Sequence, residues 1–186
     1  LAEREAKAAL SSLSKCGSLP AAGSSPHLAL CLSALVDAGG GLVTDERLKI
    51  YLTEYQKSRP LCEKELWLLV PVLKCEVCRF IFENPESDAL LSGAFSSLRY
   101  LAEAELTELI EGVNRLEAIL RRDPSGIYPM MDAETRALYR RELALIARRS
   151  RLGEEEAAKK VLALAESSDE RHIGFYILRK PMGKAK

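Results

Sequence analysis

Apolar residues recur along this chain at helical spacing, and almost nowhere at the alternation a half-buried strand requires. Glu3 to Ser14 is predicted as a short helix with Ala and Leu on one face, followed by a Gly/Ser/Pro-rich linker from Gly17 to Pro26. His27 to Asp37 forms an apolar helix stopped by Gly39-Gly40-Gly41. Thr44 is placed to cap the next helix, with Asp45 and Glu46 in the first turn, where the helix dipole favours acids. Behind it, Leu48, Tyr51, Leu52 and Tyr55 hold one face until Pro60 ends the run. From Glu63 to Phe82 the pattern is apolar nearly all round, so this helix is expected at the centre of the core with Trp67, Leu69, Val70 and Leu73 buried. Pro71 inside it must bend it or begin a second segment.

Glu103 to Arg122 aligns Leu106, Leu109, Ile110, Val113, Leu116 and Leu120 in one stripe, led by Glu103 and Glu105 and closed by Arg121-Arg122. Asp132 to Ser150 repeats the pattern with Tyr139, Leu143 and Ile146. Gly153 opens a further helix, supported by Glu155–Lys159 and Glu156–Lys160 pairs and buried through Ala157, Val161, Leu162 and Ala165. A last turn or two from Glu170 to Leu178 carries Ile173, Phe175, Tyr176 and Ile177. The expectation is an all-α fold of about seven to nine helices arranged as antiparallel hairpins. It is read as one domain over residues 1–186, in two blocks, 1–83 and 94–178.

Composition narrows the class. The 186 residues are 47% apolar, enough to bury a core without metals or disulfides. Lys plus Arg and Asp plus Glu balance at 27 each, so overall charge steers the chain toward neither nucleic acid nor acidic membranes. No apolar run nears the roughly 20 residues of a membrane span, and Leu1-Ala2-Glu3-Arg4 is not a signal peptide. A start at Leu rather than Met reads as a piece of a larger polypeptide. Five cysteines, an odd number, sit within helical patterns, which favours reduced thiols in a cytoplasmic setting.

The most distinctive stretch is Asp123-Pro124-Ser125-Gly126-Ile127-Tyr128-Pro129-Met130-Met131-Asp132, running on to Thr135-Arg136 and Tyr139-Arg140. Pro124 forbids continuation of the helix ending near Arg122, Gly126 can take the positive φ of a tight turn, and Asp132 stands at an N-cap. With His172-Ile173-Gly174-Phe175-Tyr176, and more weakly Tyr55-Gln56, Pro60-Leu61 and Glu65-Leu66-Trp67, this segment resembles the soluble N-terminal helical region of bacterial cyclic β-1,2-glucan synthases. Asn84 to Gly93 is much shorter than the family's corresponding region, either a lost subdomain or an omitted stretch. In that family the helical part precedes membrane spans, a glycosyltransferase domain and phosphorylase-like modules. The resemblance thus implies a domain on the cytoplasmic side of a bacterial inner-membrane synthase, with the synthase's other domains as partners and its catalytic machinery elsewhere.

Catalytic signals within the chain are thin. There is no Asp-x-Asp pair to hold a metal and a nucleotide diphosphate, and Gly39-Gly40-Gly41 lacks the Lys and hydroxyl of a phosphate loop. Carboxylates facing across a cleft would serve glycoside chemistry, yet caps and solvated faces account for those present. Asp132 is read as a cap pairing with Arg136. Cys75-x-x-Cys78 has no second half at zinc spacing among Cys16, Cys31, Cys62, His27 and His172, so the pair is read as buried thiols, His172 as packing near the C-terminal turn, and no metal or cofactor is assigned. The remaining polar candidate is a cluster beside the turn: Asp123, Tyr128, Asp132, Arg136, Tyr139 and Arg140.

From Arg115 to Arg151 nine arginines face five acids. This stretch is a solvated face with Arg–Glu partners, or a docking surface for anionic lipid or an acidic neighbouring domain. Nucleic acid is disfavoured because no aromatics interleave with the arginines. Three functions follow: a non-catalytic structural or interaction domain of a cyclic β-1,2-glucan synthase-like protein; a carbohydrate-binding or chain-length-controlling module of that synthase, using an aromatic cleft built from Tyr51, Tyr55, Tyr100, Tyr128 or Tyr139; or a helical adaptor unrelated to glycans.

Overall fold

The computed structural model describes residues 1–16, 18–23 and 25–179, so Gly17 and Ser24 of the expected linker lie outside the described residues. The fold is all-α, with eight helices of seven residues or longer among the described residues. A two-residue antiparallel ladder, Ala21–Ala22 with Ser25–Pro26, is its only extended pairing among the described residues. The chain divides into two compact units, Leu1–Leu109 and Ile110–Lys186.

In the first unit α1 (Ala2–Ser14), α2 (His27–Ala38), α3 (Asp45–Ser58), α4 (Glu63–Trp67), α5 (Leu69–Glu83) and α6 (Asp88–Glu103) follow in order. Helix α5 is the hub and packs on α1, α2 and α6. Its Leu69, Leu73 and Val77 are fully buried, as its apolar pattern demands, while Val70 is half-buried. Thr44 caps α3 by accepting the Arg47 N–H at 3.4 Å.

The expected helix from Glu63 to Phe82 is two helices. The backbone breaks at Leu68 (φ −96°, ψ 7°), which leaves Pro71 in the first turn of α5, where its missing N–H costs nothing. This break also corrects the reading of Trp67, which is 58% exposed. Two helices share the all-round apolar pattern, so each needs to bury only one side; Leu66, Leu68 and Leu69 take the interior and Trp67 ends α4 facing outward. Helix α6 was not anticipated, because its buried face is made of small residues, Ala94 and Ser97 with Leu98 and Leu101. Ser97 has a reason to be there: its Oγ accepts the Val43 N–H at 2.8 Å and donates to Gly41 O at 2.7 Å, pinning the loop before α3.

Helix α7 (Thr107–Val113) crosses the unit boundary, and the second unit continues with α8 (Arg115–Leu120), α9 (Ala133–Arg149), α10 (Glu154–Glu166) and a C-terminal π-helical turn (Phe175–Arg179). The single helix expected from Glu103 to Arg122 is therefore interrupted. Asn114 stops α7 and caps α8, its Oδ1 accepting from Leu116 N and Glu117 N at 2.9 and 3.1 Å. Glu103 belongs to α6 instead. Leu116, Leu120, Leu143, Ile146, Val161, Leu162 and Ile173 form the unit's core. Lys160 pairs with Glu156 as expected, but Glu155 reaches Arg115 at 2.9 Å rather than Lys159. Helix α9 closes with a Schellman pattern: Leu152 N donates to Ala147 O at 2.9 Å, and Arg151 takes the left-handed position (φ 55°) usually held by Gly. No described helix is long and apolar enough to cross a membrane.

Candidate functional site

Five of the six residues proposed as a polar cluster do converge, within the second unit. Helix α8 ends at Leu120, whose carbonyl accepts the Asp123 N–H at 3.0 Å, and Gly126 closes the following turn at φ 68°. Geometry here aims the Asp123 carboxylate inward. Oδ2 accepts from Ser125 Oγ (2.6 Å), Tyr128 N (3.1 Å) and His172 Nδ1 (3.0 Å), while Oδ1 accepts from Ile173 N (3.2 Å). One buried carboxylate thus ties the α8–α9 turn to the C-terminal segment. Burial pushes its pKa up, but the bonds from Ser125, His172, Tyr128 and Ile173 outweigh that and hold it below the usual value.

His172 completes this group. An ionised Asp123 can only accept, so Nδ1 carries a proton, and Nε2 lies 3.2 Å from the Tyr139 hydroxyl. Room for that contact comes from Gly174, because a Cβ there would lie 2.5 Å from both His172 Nε2 and Tyr139 Oη. Burial and the Asp123 charge raise the Tyr139 pKa. Asp, His and Ser meet here, yet not as an acyl-transfer triad. Ser125 faces Nδ1, the nitrogen that already serves the carboxylate, and the Nε2 that would act as base is covered by Tyr139.

A second group lies on the other side of Tyr128. The Tyr128 hydroxyl, fully buried, donates to Glu117 Oε2 at 2.6 Å, and burial beside that carboxylate raises its pKa. Arg140 donates to the same oxygen. Glu117 Oε1 lies 2.8 Å from Arg121 Nε and 3.1 Å from Arg136 Nε, charge contacts without hydrogen-bond alignment. Glu111 takes Arg136 Nη2 at 2.5 Å and Arg140 Nη1 at 3.5 Å. Three guanidinium groups therefore surround two carboxylates, with the Glu117 side chain only 1% exposed. The Tyr128 and Tyr139 rings, 5.8 Å apart, join the two groups.

Asp132 is not part of this convergence. It caps α9 on the surface, accepting from Thr135 N at 2.8 Å and Thr135 Oγ1 at 2.7 Å, and the Thr135 N–H holds its pKa low. Arg136, expected to pair with Asp132, turns inward to Glu111. Glu111, Glu117 and His172, absent from the expected cluster, are its centre. Glu117 carried a signal: a carboxylate between Leu116 and Leu120 in an apolar stripe needs buried cations.

The first unit holds a similarly wired histidine. His27 Nδ1 lies 2.8 Å from Glu65 Oε1 and its Nε2 2.8 Å from the Tyr55 hydroxyl. Glu65 Oε2 also accepts the Cys62 N–H at 2.9 Å, which fixes the start of α4. Burial pushes the nearby Cys31 thiol up to about 12 and Cys75 to about 11, so neither is a ready nucleophile. No group of three His, Cys, Asp or Glu residues suited to a metal occurs among the described residues. Comparison with protein families, with characterised proteins and with solved structures gives no match.

Proposed function

We propose that this chain is a non-catalytic helical scaffold within a larger synthase related to the cyclic β-1,2-glucan synthases. One observation carries the reading. Residues from the two stretches that resemble that family, Asp123 to Arg140 and His172 to Tyr176, bond to one another: Asp123 to Tyr128, His172 and Ile173, and Tyr139 to His172 across Gly174. Residues that would otherwise suggest an active site are occupied in holding a turn against the C-terminal segment. A helical scaffold with catalysis elsewhere in the polypeptide accounts for them all.

Incubating the chain with UDP-glucose and linear β-1,2-glucan, with and without magnesium or manganese, is expected to give no turnover. Turnover that Asp123→Asn or Arg140→Gln abolishes in a folded protein would overturn the proposal. In the intact synthase, Asp123→Ala should lower product and folded protein in proportion; product lost at unchanged protein level would mean a catalytic Asp123.

The exposed Trp67 favours a second reading, a glucan-binding module. Tyr128 and Tyr139 are buried, and the hydroxyls of Tyr51, Tyr55 and Tyr100 are engaged with Cys31 O, His27 and Asp45. Trp67 is 58% exposed, as Phe82 is at 73%, and an exposed indole is a face on which a sugar ring stacks. It is the chain's only tryptophan, so its fluorescence reports directly. A saturable change on titration with β-1,2-glucan, absent in Trp67→Ala, would favour this module over a pure scaffold.

A further inference from the structure

We propose that the outer face of α9 and the turn that follows it, Leu138, Leu145, Arg148, Arg149 and Arg151, dock on an anionic phospholipid surface. Seven of the nine arginines between Arg115 and Arg151 fall into two kinds. Arg115 is held by Glu155, and Arg121, Arg136 and Arg140 surround Glu111 and Glu117. Arg148, Arg149 and Arg151 are exposed and have no carboxylate partner among the described residues. They are gathered at one end of one helix.

Leucines share their face. Leu138 and Leu145 are 39% and 44% exposed and stand seven residues apart, which places them in one row with Arg149, while Arg148 flanks it. The acids on this side are the exposed Glu134, about 20 Å along the axis from Arg148, and the half-buried Glu142. The helix dipole welcomes a cation in its last turn, which accounts for Arg148 or Arg149. It does not account for Arg151, which lies past the helix in a left-handed conformation that Gly would take without strain, nor for leucines left in water. Leucines in a row beside guanidinium groups suit a fluid interface, where acyl carbons receive the leucines and phosphates meet the arginines with no complementary cavity needed. An acidic protein would need a built groove for the same leucines.

Co-sedimentation of the whole chain with vesicles tests this. Vesicles of phosphatidylcholine with roughly a third phosphatidylserine should bind at low salt and release at about 0.5 M salt, and pure phosphatidylcholine should not bind. Arg148→Glu with Arg149→Glu should weaken binding at least about twenty-five-fold, about five-fold for each cation lost. Leu138→Ser with Leu145→Ser should weaken it several-fold, which bare charge attraction would not do. Both double variants alter exposed positions, and circular dichroism confirms their folding. Absence of phosphatidylserine-dependent binding would overturn the proposal. So would equal loss in Arg122→Glu, which lies outside this face, or binding to polyglutamate without vesicles. No sugar enters the assay, so its failure leaves the synthase reading standing, and the reverse also holds.

Discussion

Asp123 and His172 are 49 positions apart in the chain, yet Asp123 Oδ2 lies 3.0 Å from His172 Nδ1. The carboxylate that makes this contact also satisfies the buried N–H groups of Tyr128 and Ile173. Replacing it leaves those donors without partners, at about 1–3 kcal/mol each. Asp123→Ala should therefore destabilise the second unit by about 3 kcal/mol or more, measured by chemical denaturation.

The same carboxylate should set part of the acid limit of the fold. Its folded pKa lies below the ordinary value of 3.8, so the unfolded chain binds its proton more readily. Its contribution is then complete above that ordinary value and disappears as pH falls through the lower folded value. Glu5, held down chiefly by Lys74, and Asp132, held down by the Thr135 N–H, act in the same direction. Thermal scans should show the melting temperature falling steeply below about pH 4. Asp123→Asn should start lower at neutral pH and fall less steeply. An unchanged slope would place the acid sensitivity elsewhere.

Asp123 also shows how far the sequence could be read. Pro124, Gly126 and Asp132 announced the turn, because each residue type has a local conformational preference that needs no partner. The helix boundaries on either side of it followed for the same reason. What stayed hidden was set by contacts distant in the chain. Nothing local says that His172 returns to Asp123, or that Arg136 prefers Glu111 to the nearer Asp132. Trp67 lies outside the core because the break at Leu68 divides into two helices an all-round apolar run that reads as one buried helix. Helix α6 is illegible in the sequence because Ala94 and Ser97 bury a face without a strong apolar period.

Gly174 should tolerate no side chain. A Cβ would stand 2.5 Å from both His172 Nε2 and Tyr139 Oη, and Tyr139 is buried against Tyr128, so its ring cannot swing clear. Gly174→Ala should cost about 1–3 kcal/mol by overpacking. Tyr139→Phe removes the hydroxyl but keeps the ring. Combined with Gly174→Ala it should recover part of that loss, and strict additivity of the two changes would show that the contact is not where the strain lies.

Glu117 contacts Arg121, Arg136 and Arg140 from a position closed to solvent. Glu117→Gln keeps the shape and removes the charge nearest the buried Arg140 guanidinium. The expected cost is about 3–5 kcal/mol, enough to unfold much of a marginal unit at room temperature. Equilibrium urea unfolding measures it directly. If the network serves only the fold, Glu117→Leu with Arg140→Met should be better tolerated than Glu117→Gln alone, because no buried charge is orphaned at that pair.

Arg151 offers the opposite sign. It occupies the left-handed position that closes α9, where a Cβ meets the following carbonyl oxygen and a glycine does not. Arg151→Gly relieves that strain and concedes some entropy to the unfolded chain, leaving a net gain of about 0.5–1 kcal/mol. The Leu152 N–H should keep its bond to Ala147 O, because only the side chain changes. The substitution also removes one cation from the face proposed to meet lipid, so stability should rise while vesicle binding falls about five-fold. Such a split would identify Arg151 as a residue whose guanidinium acts outside the fold. A gain in stability with undiminished binding would make its left-handed conformation a cost without a function, and would remove Arg151 from the docking face.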